Sequence, residues 1–533
     1  MLITDQKLLF YQRCSRRTYL DVYGDFNQKD PPSDFLLKLM QDSFNFQQTI
    51  LAEQTYQQPN YPRGDWFLGA QATLNLMKQG VERIHKGVLL LSEEPLENLH
   101  SVEHSHQVVL LSYPDLLVKS PGSSQFGDWM YVPTDIRLGK RPKLDYQIIA
   151  AFHAKVLAAV QGTMPETSWL MLRNKGAYAV NLNQRLPQMQ NLLTDCIEML
   201  RKDQEPEVFI ARQKCNLCQW YSYCYAIAQS ENHLSLLPGV TPVRYTRLQA
   251  LNITSVASLA ESTPDFLENY PEFNLGIAAQ VIQQAYSTLN NKAVLRSQEE
   301  SLKNGSFKTS EAASSLKIIS EKSVKILKDS VNSLVWRSPV ELYFDIEAQP
   351  ELNLDYLHGV LVVDRRSNTQ KLYSFLADNQ ADEEKIWQQF LELVWTYPIA
   401  PIFHFCDYEP KTIQRLARVY KTPDYLCKPL LKRLIDIHQI VTQTVTLPVE
   451  SYALKPIARW MGFEWNDPSA NGAQCVYWYE QWIKTGDRTL LDTIVRYNQD
   501  DCQATFHVKE WLTNFLETVE YNVEDFQLEL NSK

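Results

Sequence analysis

The run Leu342-Tyr-Phe-Asp345-Ile-Glu347 sets two carboxylates two positions apart in a β-rich stretch. At a strand's period of two both leave one face, while Leu342, Phe344 and Ile346 leave the other. Carboxylates forced side by side repel unless a cation sits between them, so this spacing suits a divalent metal. Further along, HFCDYE brings Glu409 directly after another β-rich run, with Asp407 beside it. The sequence YNQDD then places Tyr497 and Asp501 four apart in a helical pattern, hence on one helix face, with Asp500 as the neighbour. Two metals held by such carboxylates activate a water and stabilise a leaving oxygen, the chemistry of phosphodiester hydrolysis. A tyrosine at the site can orient the water. Each piece alone is weak, since D-x-E is as often a solvated face and Y-x3-D ordinary helix surface; their order and context join them.

Three further groups carry chemistry. Cys215, Cys218 and Cys224 cluster in RQKCNLCQWYSYC, whereas Cys406, Cys427, Cys475 and Cys502 are isolated. A zinc ribbon needs a second close pair of ligands, and none is near; the remaining candidate is the distant Cys14. Asp115 ends the strand-like VVLLSYPD, and Asp135 lies in WMYVPTDIRLGKRPK with Arg137 two places on. Lys140, Arg141 and Lys143 make a basic edge that suits phosphate or, equally, a solvated loop. The turns LPGV and LNIT, between helical patterns at 235–290, have the form of a helix-hairpin-helix. Their backbone N–H groups, with Arg244 and Arg247 close by, could hold phosphate or act as a plain spacer.

The elements that position these residues fit a chain of 533 residues, too long for one core and expected to form two or three domains. Hydrophobic residues at 44% and aromatics at 11% indicate a folded protein. No signal-peptide pattern and no bilayer-length apolar run is seen, so a cytoplasmic, membrane-free protein is expected. Nine cysteines, an odd number, favour thiols and a metal site over disulfides. The net charge of −10 excludes a generally basic coat but not a local basic channel. Residues 1–230 mix helix and strand patterns, 235–295 look helical, 296–335 read as a Ser-, Lys- and Glu-rich linker, and 336–520 alternate strands with helices. Strand runs are ELYFDIE, LHGVLVV, KLYSFLA and PIFHF, with helices around 411–420, 428–443, 451–462 and 489–516. The expected class is α/β multidomain.

The C-terminal motifs resemble the DEDD exonuclease superfamily in its tyrosine-bearing subclass, as does the stretch SYALKPIARWMGFEW. That resemblance implies a ribonuclease-H-like 3′→5′ exonuclease domain using Mg²⁺ or Mn²⁺. Its catalytic and metal-binding set would be Asp345, Glu347, Glu409 and Asp501, with Tyr497 orienting water. The second motif departs, with His404 for Asn and Glu409 for Asp. One distant cysteine plus C-x2-C-x5-C is similar to the iron–sulfur staple of RecB-family nucleases, as in the AddB and Cas4 groups. It implies a [4Fe–4S] cluster on Cys14, Cys215, Cys218 and Cys224; zinc and unligated thiols remain the alternatives. It also implies a restriction-endonuclease-like PD-(D/E)xK domain with a second nuclease-type site at Asp115, Asp135 and Arg137. Arg137 stands where a lysine is expected, Gln48 (or, more weakly, Glu53) stands for the upstream Glu, and Gln147 falls near the family's glutamine position. Such a domain would either cut DNA or clamp it. The whole chain resembles bacterial RecB-like nucleases of this domain order, acting on single-stranded DNA or RNA in repair or turnover, with a helicase as a conceivable partner. The competing reading is a non-catalytic iron–sulfur nucleic-acid-binding protein with degenerate nuclease folds.

Overall fold

A computed structural model describes residues 1–92, 107–296 and 338–531, the stretch 519–531 by its backbone alone. The chain divides into two units, Met1–Ile227 and Ala228–Lys533. The linker expected over 296–335 lies, Arg296 apart, outside the described residues.

In the first unit the strands are β1 (Leu2–Thr4), β2 (Arg83–His85), β3 (Leu89–Ser92), β4 (Val109–Ser112), β5 (Leu116–Ser124), β6 (Gly127–Arg137), β7 (Thr167–Leu172) and β8 (Gly176–Asn181). They form the sheets β1-β4-β3 and β2-β5-β6-β7-β8. β6 pairs antiparallel with β5 and parallel with β7, so a crossover is required between β6 and β7. The helix Leu144–Gln161 supplies it. Its run of Ala, Ile, Phe and Val has no polar face, and accordingly it is buried almost all round.

The start of this unit is bonded to its end. The Tyr19 hydroxyl donates to Asp203 Oδ1 at 3.1 Å, Trp220 Nε1 to Asp21 Oδ1 at 2.9 Å, and the Ser222 amide to Asp30 Oδ2 at 3.0 Å. The Arg16 guanidinium donates to the Pro206 carbonyl and pairs with Glu205.

In the second unit, β9 (Val294–Leu295), β10 (Val340–Gln349), β11 (Leu354–Asp364), β12 (Thr369–Leu376), β13 (Ile402–His404), β14 (Leu434–Asp436) and β15 (Val445–Thr446) appear in chain order. The main sheet runs β12-β11-β10-β13-β14, antiparallel over β12, β11 and β10 and parallel from β10 onward. Period-two alternation sorts β10. Val340, Leu342, Phe344 and Ile346 enter a core with Trp387, Phe390, Ile413, Leu416 and Leu430. Tyr343 enters the opposite core with Phe403, Val441, Ala504 and Val508.

The helix expected at 428–443 is two helices, Asp424–Lys432 and Ile437–Thr444, interrupted by β14. Pairing of Leu434–Asp436 with β13 overrides a local pattern that reads equally well as helix. The helix expected at 451–462 is shorter, Leu454–Trp460, and the last runs Arg488–Asn531. A helix at Gly472–Thr485 was not anticipated, although Asn471 caps its start and Gly486, at φ 73°, closes its end.

The 235–290 segment is helical, with helices Pro242–Ala250, Val256–Ala260, Pro264–Glu268 and Ile277–Asn290. It is tied into the second unit. Gln284 Nε2 donates to the Leu447 carbonyl at 2.7 Å, the Tyr452 hydroxyl donates to Gln284 Oε1 at 3.0 Å, and β9 pairs with β15.

Gly359 lies opposite Asp345 in the β10–β11 ladder. A Cβ there would come within 1.9 Å of Asn498 Oδ1, the side chain whose Nδ2 donates to Asp345 Oδ2 at 2.7 Å. Gly359→Ala is therefore expected to lower stability to urea unfolding by about 1–3 kcal/mol. It should also shift Asn498 away from Asp345.

Candidate functional site

Asp345 and Glu347 leave β10, and Asp501 leaves the last helix, so that one carboxylate oxygen from each lies within 4.8 Å of the others. All three are buried or nearly so, and Glu409, from the first turn of the helix Tyr408–Val419, is buried beside them. Burial first, then the charges of Asp501, Glu347 and Glu409, raise the Asp345 carboxyl well above the usual range. Burial, with Asp501 and Glu409, does the same to Glu347. Burial pushes Asp501 up to about 7 against hydrogen bonds from Trp465 and Tyr497. Burial also raises Glu409, opposed by His404, whose Nδ1 stands 3.5 Å from Glu409 Oε2. Such a set stays ionised only with positive charge among its members, and an all-carboxylate donor set suits a hard divalent cation. The residues fit a metal.

The surroundings aim these groups. Trp465 Nε1 donates to Asp501 Oδ1 at 2.7 Å, and Asn498 holds Asp345. The buried Cys475 thiol faces Glu347 and eases the rise of its carboxyl. Lys455 Nζ donates to the Pro468 carbonyl at 3.1 Å and sits 5.3 Å from the Trp465 ring centre and 5.8 Å from that of Tyr497. Tyr497 keeps its proton, because burial and the nearby Asp501 and Glu347 charges raise its pKa. Cys406, at φ 74°, makes the turn between β13 and the Glu409 helix, its amide donating to Asp436 Oδ1. The rival acids are engaged elsewhere. Asp407 is exposed and pairs with Lys411, and Asp500 accepts from the Asn466 amide and side chain at 2.8 and 2.7 Å. Asn498, Trp465 and Cys475 were not singled out from sequence; Trp465 and Lys455 belong to the SYALKPIARWMGFEW stretch.

In the first unit Cys14 falls between the helices Asp5–Arg13 and Ser15–Tyr23, its Sγ accepting from the Arg17 amide at 3.4 Å. Cys215 ends the short helix Arg212–Cys215, Cys218 follows it, and Cys224 lies on the helix Tyr221–Ser230. All four are free, half-buried thiols. Burial raises Cys215, Cys218 and Cys224, the last to about 11, and the sulfur of Cys14 acts on each of them. The fold thus brings the distant Cys14 within electrostatic reach of the other three.

Asp115 and Asp135 are also buried, but in different company. Asp115 accepts from Lys86 Nζ, from Gln47 Nε2 and, at 2.7 Å, from the Ile136 amide. Asp135 pairs with Arg137 at 3.1 Å and with His153 Nε2 at 3.4 Å; the same nitrogen faces Asp5 at 3.7 Å. Gln48 and Glu53 are exposed, so the upstream helix turns Gln47, one position away, toward Asp115. One residue rotates a helical side chain by about 100°, which the sequence pattern did not resolve. Gln147 donates to the Pro142 carbonyl and accepts from Arg185, a structural pairing. Lys140, Arg141 and Lys143 are exposed. Arg244 donates to the Glu272 and Gly239 carbonyls, and Arg247 to the Glu272 carboxylate, so their donors serve the helical segment itself.

Residues 342–513 match the family model of the RNase_H superfamily, and this segment holds Asp345, Glu347, Glu409, Tyr497 and Asp501. The second unit therefore carries a ribonuclease-H-like domain. No curated protein matches the chain. Among the described residues no helix is long and apolar enough to cross a membrane.

A Mn²⁺ titration separates the acids. Asp345→Ala should weaken binding by at least roughly a hundredfold and Trp465→Phe by about tenfold. Asp407→Ala and Asp500→Ala should stay within about twofold of the parent protein.

Proposed function

We propose that the chain is a metal-dependent nuclease whose ribonuclease-H-like domain removes nucleotides from the 3′ end of single-stranded DNA or RNA, a chemistry suited to repair or turnover. The observation that carries this reading is the grouping of Asp345, Glu347 and Asp501 within 4.8 Å, on the segment that matches the RNase_H superfamily. These three would hold one divalent cation, Mg²⁺ or Mn²⁺, and Glu409, acting on Asp345 and Glu347, would contribute to a second. Such ions supply Lewis-acid charge and make a bound water acidic enough to attack phosphorus. The chain's residues do the rest. Trp465 and Asn498 fix two carboxylates in direction, and His404 steadies Glu409. Tyr497, a neutral phenol facing Asp501, would orient the water, while Lys455 adds positive charge on the Asp501 side.

For the first unit the same reading takes Cys14, Cys215, Cys218 and Cys224 as ligands of a [4Fe–4S] cluster that staples a restriction-endonuclease-like domain. One observation supports a centre of anionic thiolates there: Arg16 and Arg17 face Cys224 and Cys218 and would supply charge against them. That holds for zinc as for iron, and metal content decides between the two.

Asp345→Ala and Asp501→Ala should each lower Mg²⁺- or Mn²⁺-dependent degradation of a 3′-labelled single strand on the order of a thousandfold, and Tyr497→Phe less. Full activity in Asp345→Ala with none in Asp135→Asn would assign the cutting to the first unit instead. Anaerobic purification should give a brown protein with about four iron and four sulfide per chain. Cys14→Ser should lose this colour and Cys427→Ser keep it. Zinc without iron after iron-sufficient expression rules the cluster out.

A further inference from the structure

The first unit's acids resemble a metal site in sequence, yet their surroundings do not fit a metal. Asp5, Asp115 and Asp135 supply three carboxylates, and the chain itself places Lys86, Arg137 and His153 against them. Arg137 acts on all three acids. Burial alone would raise Asp135, but the charges of Arg137 and His153, with the Arg137 hydrogen bond, hold it below the usual carboxylate range. Burial opposes protonation of His153, yet Asp135 and Asp5 raise it above the usual imidazole range. His153 Nδ1 meets Ser112 Oγ at 2.7 Å, which leaves Nε2 to face the acids. Three acids and three bases leave no net negative charge for a divalent cation to neutralise. A metal would have to expel a guanidinium that never gives up its proton.

The pairs also have a direction. The side chain of Asp115 is 9% exposed and that of Lys86 30%; Asp135 is 3% exposed and Arg137 24%. In these two pairs the acid lies inside and the cation outside, whereas in the third Asp5 is 21% exposed and His153 1%, so only Lys86 and Arg137 face out. Arg137 Nε, moreover, is buried without a hydrogen-bond partner. The guanidinium lies 5.7 Å from the Tyr146 ring centre, and Lys143 Nζ lies 5.8 Å from the same ring. Tyr146 thus links Arg137 to the exposed basic loop of Lys140, Arg141 and Lys143.

We infer that Lys86 and Arg137 form a metal-independent seat for a nucleic-acid backbone phosphate, the two cations standing where a nuclease would hold its metal. The buried acids fix the cations in direction, the guanidinium fork matches phosphate oxygens, and the loop 140–143 extends the same charge along the strand. With no metal to make a water acidic, the seat binds and does not cut. The inference rests on nucleic acid being the chain's ligand, as proposed above.

The test uses the full chain in EDTA, where metal-dependent cleavage is silent. Binding of a labelled single-stranded DNA is followed by fluorescence anisotropy over a salt series. Lys86→Gln and Arg137→Gln should each weaken binding by roughly tenfold at low salt. Each should also make the slope of log affinity against log salt shallower by about 1, alike for unrelated sequences. Lys202→Gln, at an exposed pair elsewhere on the unit, is the comparison. Lys86→Gln leaves Asp115 with Gln47 and the Ile136 amide, so it reads the seat even if Arg137→Gln fails to fold. Unchanged slope and affinity in Lys86→Gln overturn the inference. A second arm titrates Mn²⁺ into the Asp345→Ala/Asp501→Ala chain. No remaining tight site is expected, and one that disappears on adding Asp135→Asn overturns the inference as well. A chain that binds in EDTA through Lys86 but never cuts would refute the nuclease reading and leave the seat standing.

Discussion

Asp345, Glu347, Glu409 and Asp501 lie buried in one another's electric fields, where each negative charge raises the energy of the next. The second unit is arranged so that this repulsion cannot relax by the acids moving apart. β10 is held between β11 and β13, its apolar face locked under Phe390, Leu416 and Leu430. Asp501 comes from a helix packed on the other face through Ala504 and Val508. Neutral donors, the Trp465 indole and the Asn498 amide, pin individual oxygens without cancelling the charge. A site built this way keeps its demand for a cation, which is what metal chemistry requires.

The first unit meets the same repulsion differently. Its acids are compensated by cations that the chain carries on its own backbone, Lys86 from the turn after β2 at φ 53° and Arg137 from the end of β6. A compensating side chain cannot diffuse away and has no open coordination position. It can only hold. The two units thus differ in where the charge that balances their buried carboxylates comes from: inside the chain in the first, outside it in the second.

Local period and spacing carried part of this to the reader of the sequence. The alternation of ELYFDIE separates Asp345 and Glu347 from Leu342, Phe344 and Ile346, and Y-x3-D puts Tyr497 and Asp501 on one helix face, because each depends only on strand or helix geometry. The mixed α/β character of the chain was legible for the same reason, from short β-rich runs followed by helices, while the ribonuclease-H-like domain was legible only through the resemblance that the acidic motifs carry. What was not legible depends on distant pairing. Trp465 and Asn498 look like ordinary residues until the fold lays them on Asp501 and Asp345. Lys86 and His153 have no motif, since their partners Asp115 and Asp135 lie on other elements. β14 was hidden inside an apolar run that only its pairing with β13 makes a strand.

The bonds from Tyr19, Asp21 and Asp30 to Asp203, Trp220 and Ser222 bear on how the chain is made. A ribosome delivers the N-terminus first, and domains fold as their sequence emerges. Residues 14–30 then hold half of these contacts, and one cysteine of the quartet, with nothing to close on until residues 203–224 have left the exit tunnel. The last turn of translation across this unit, rather than its start, is the moment at which its opening segment is bonded to its end.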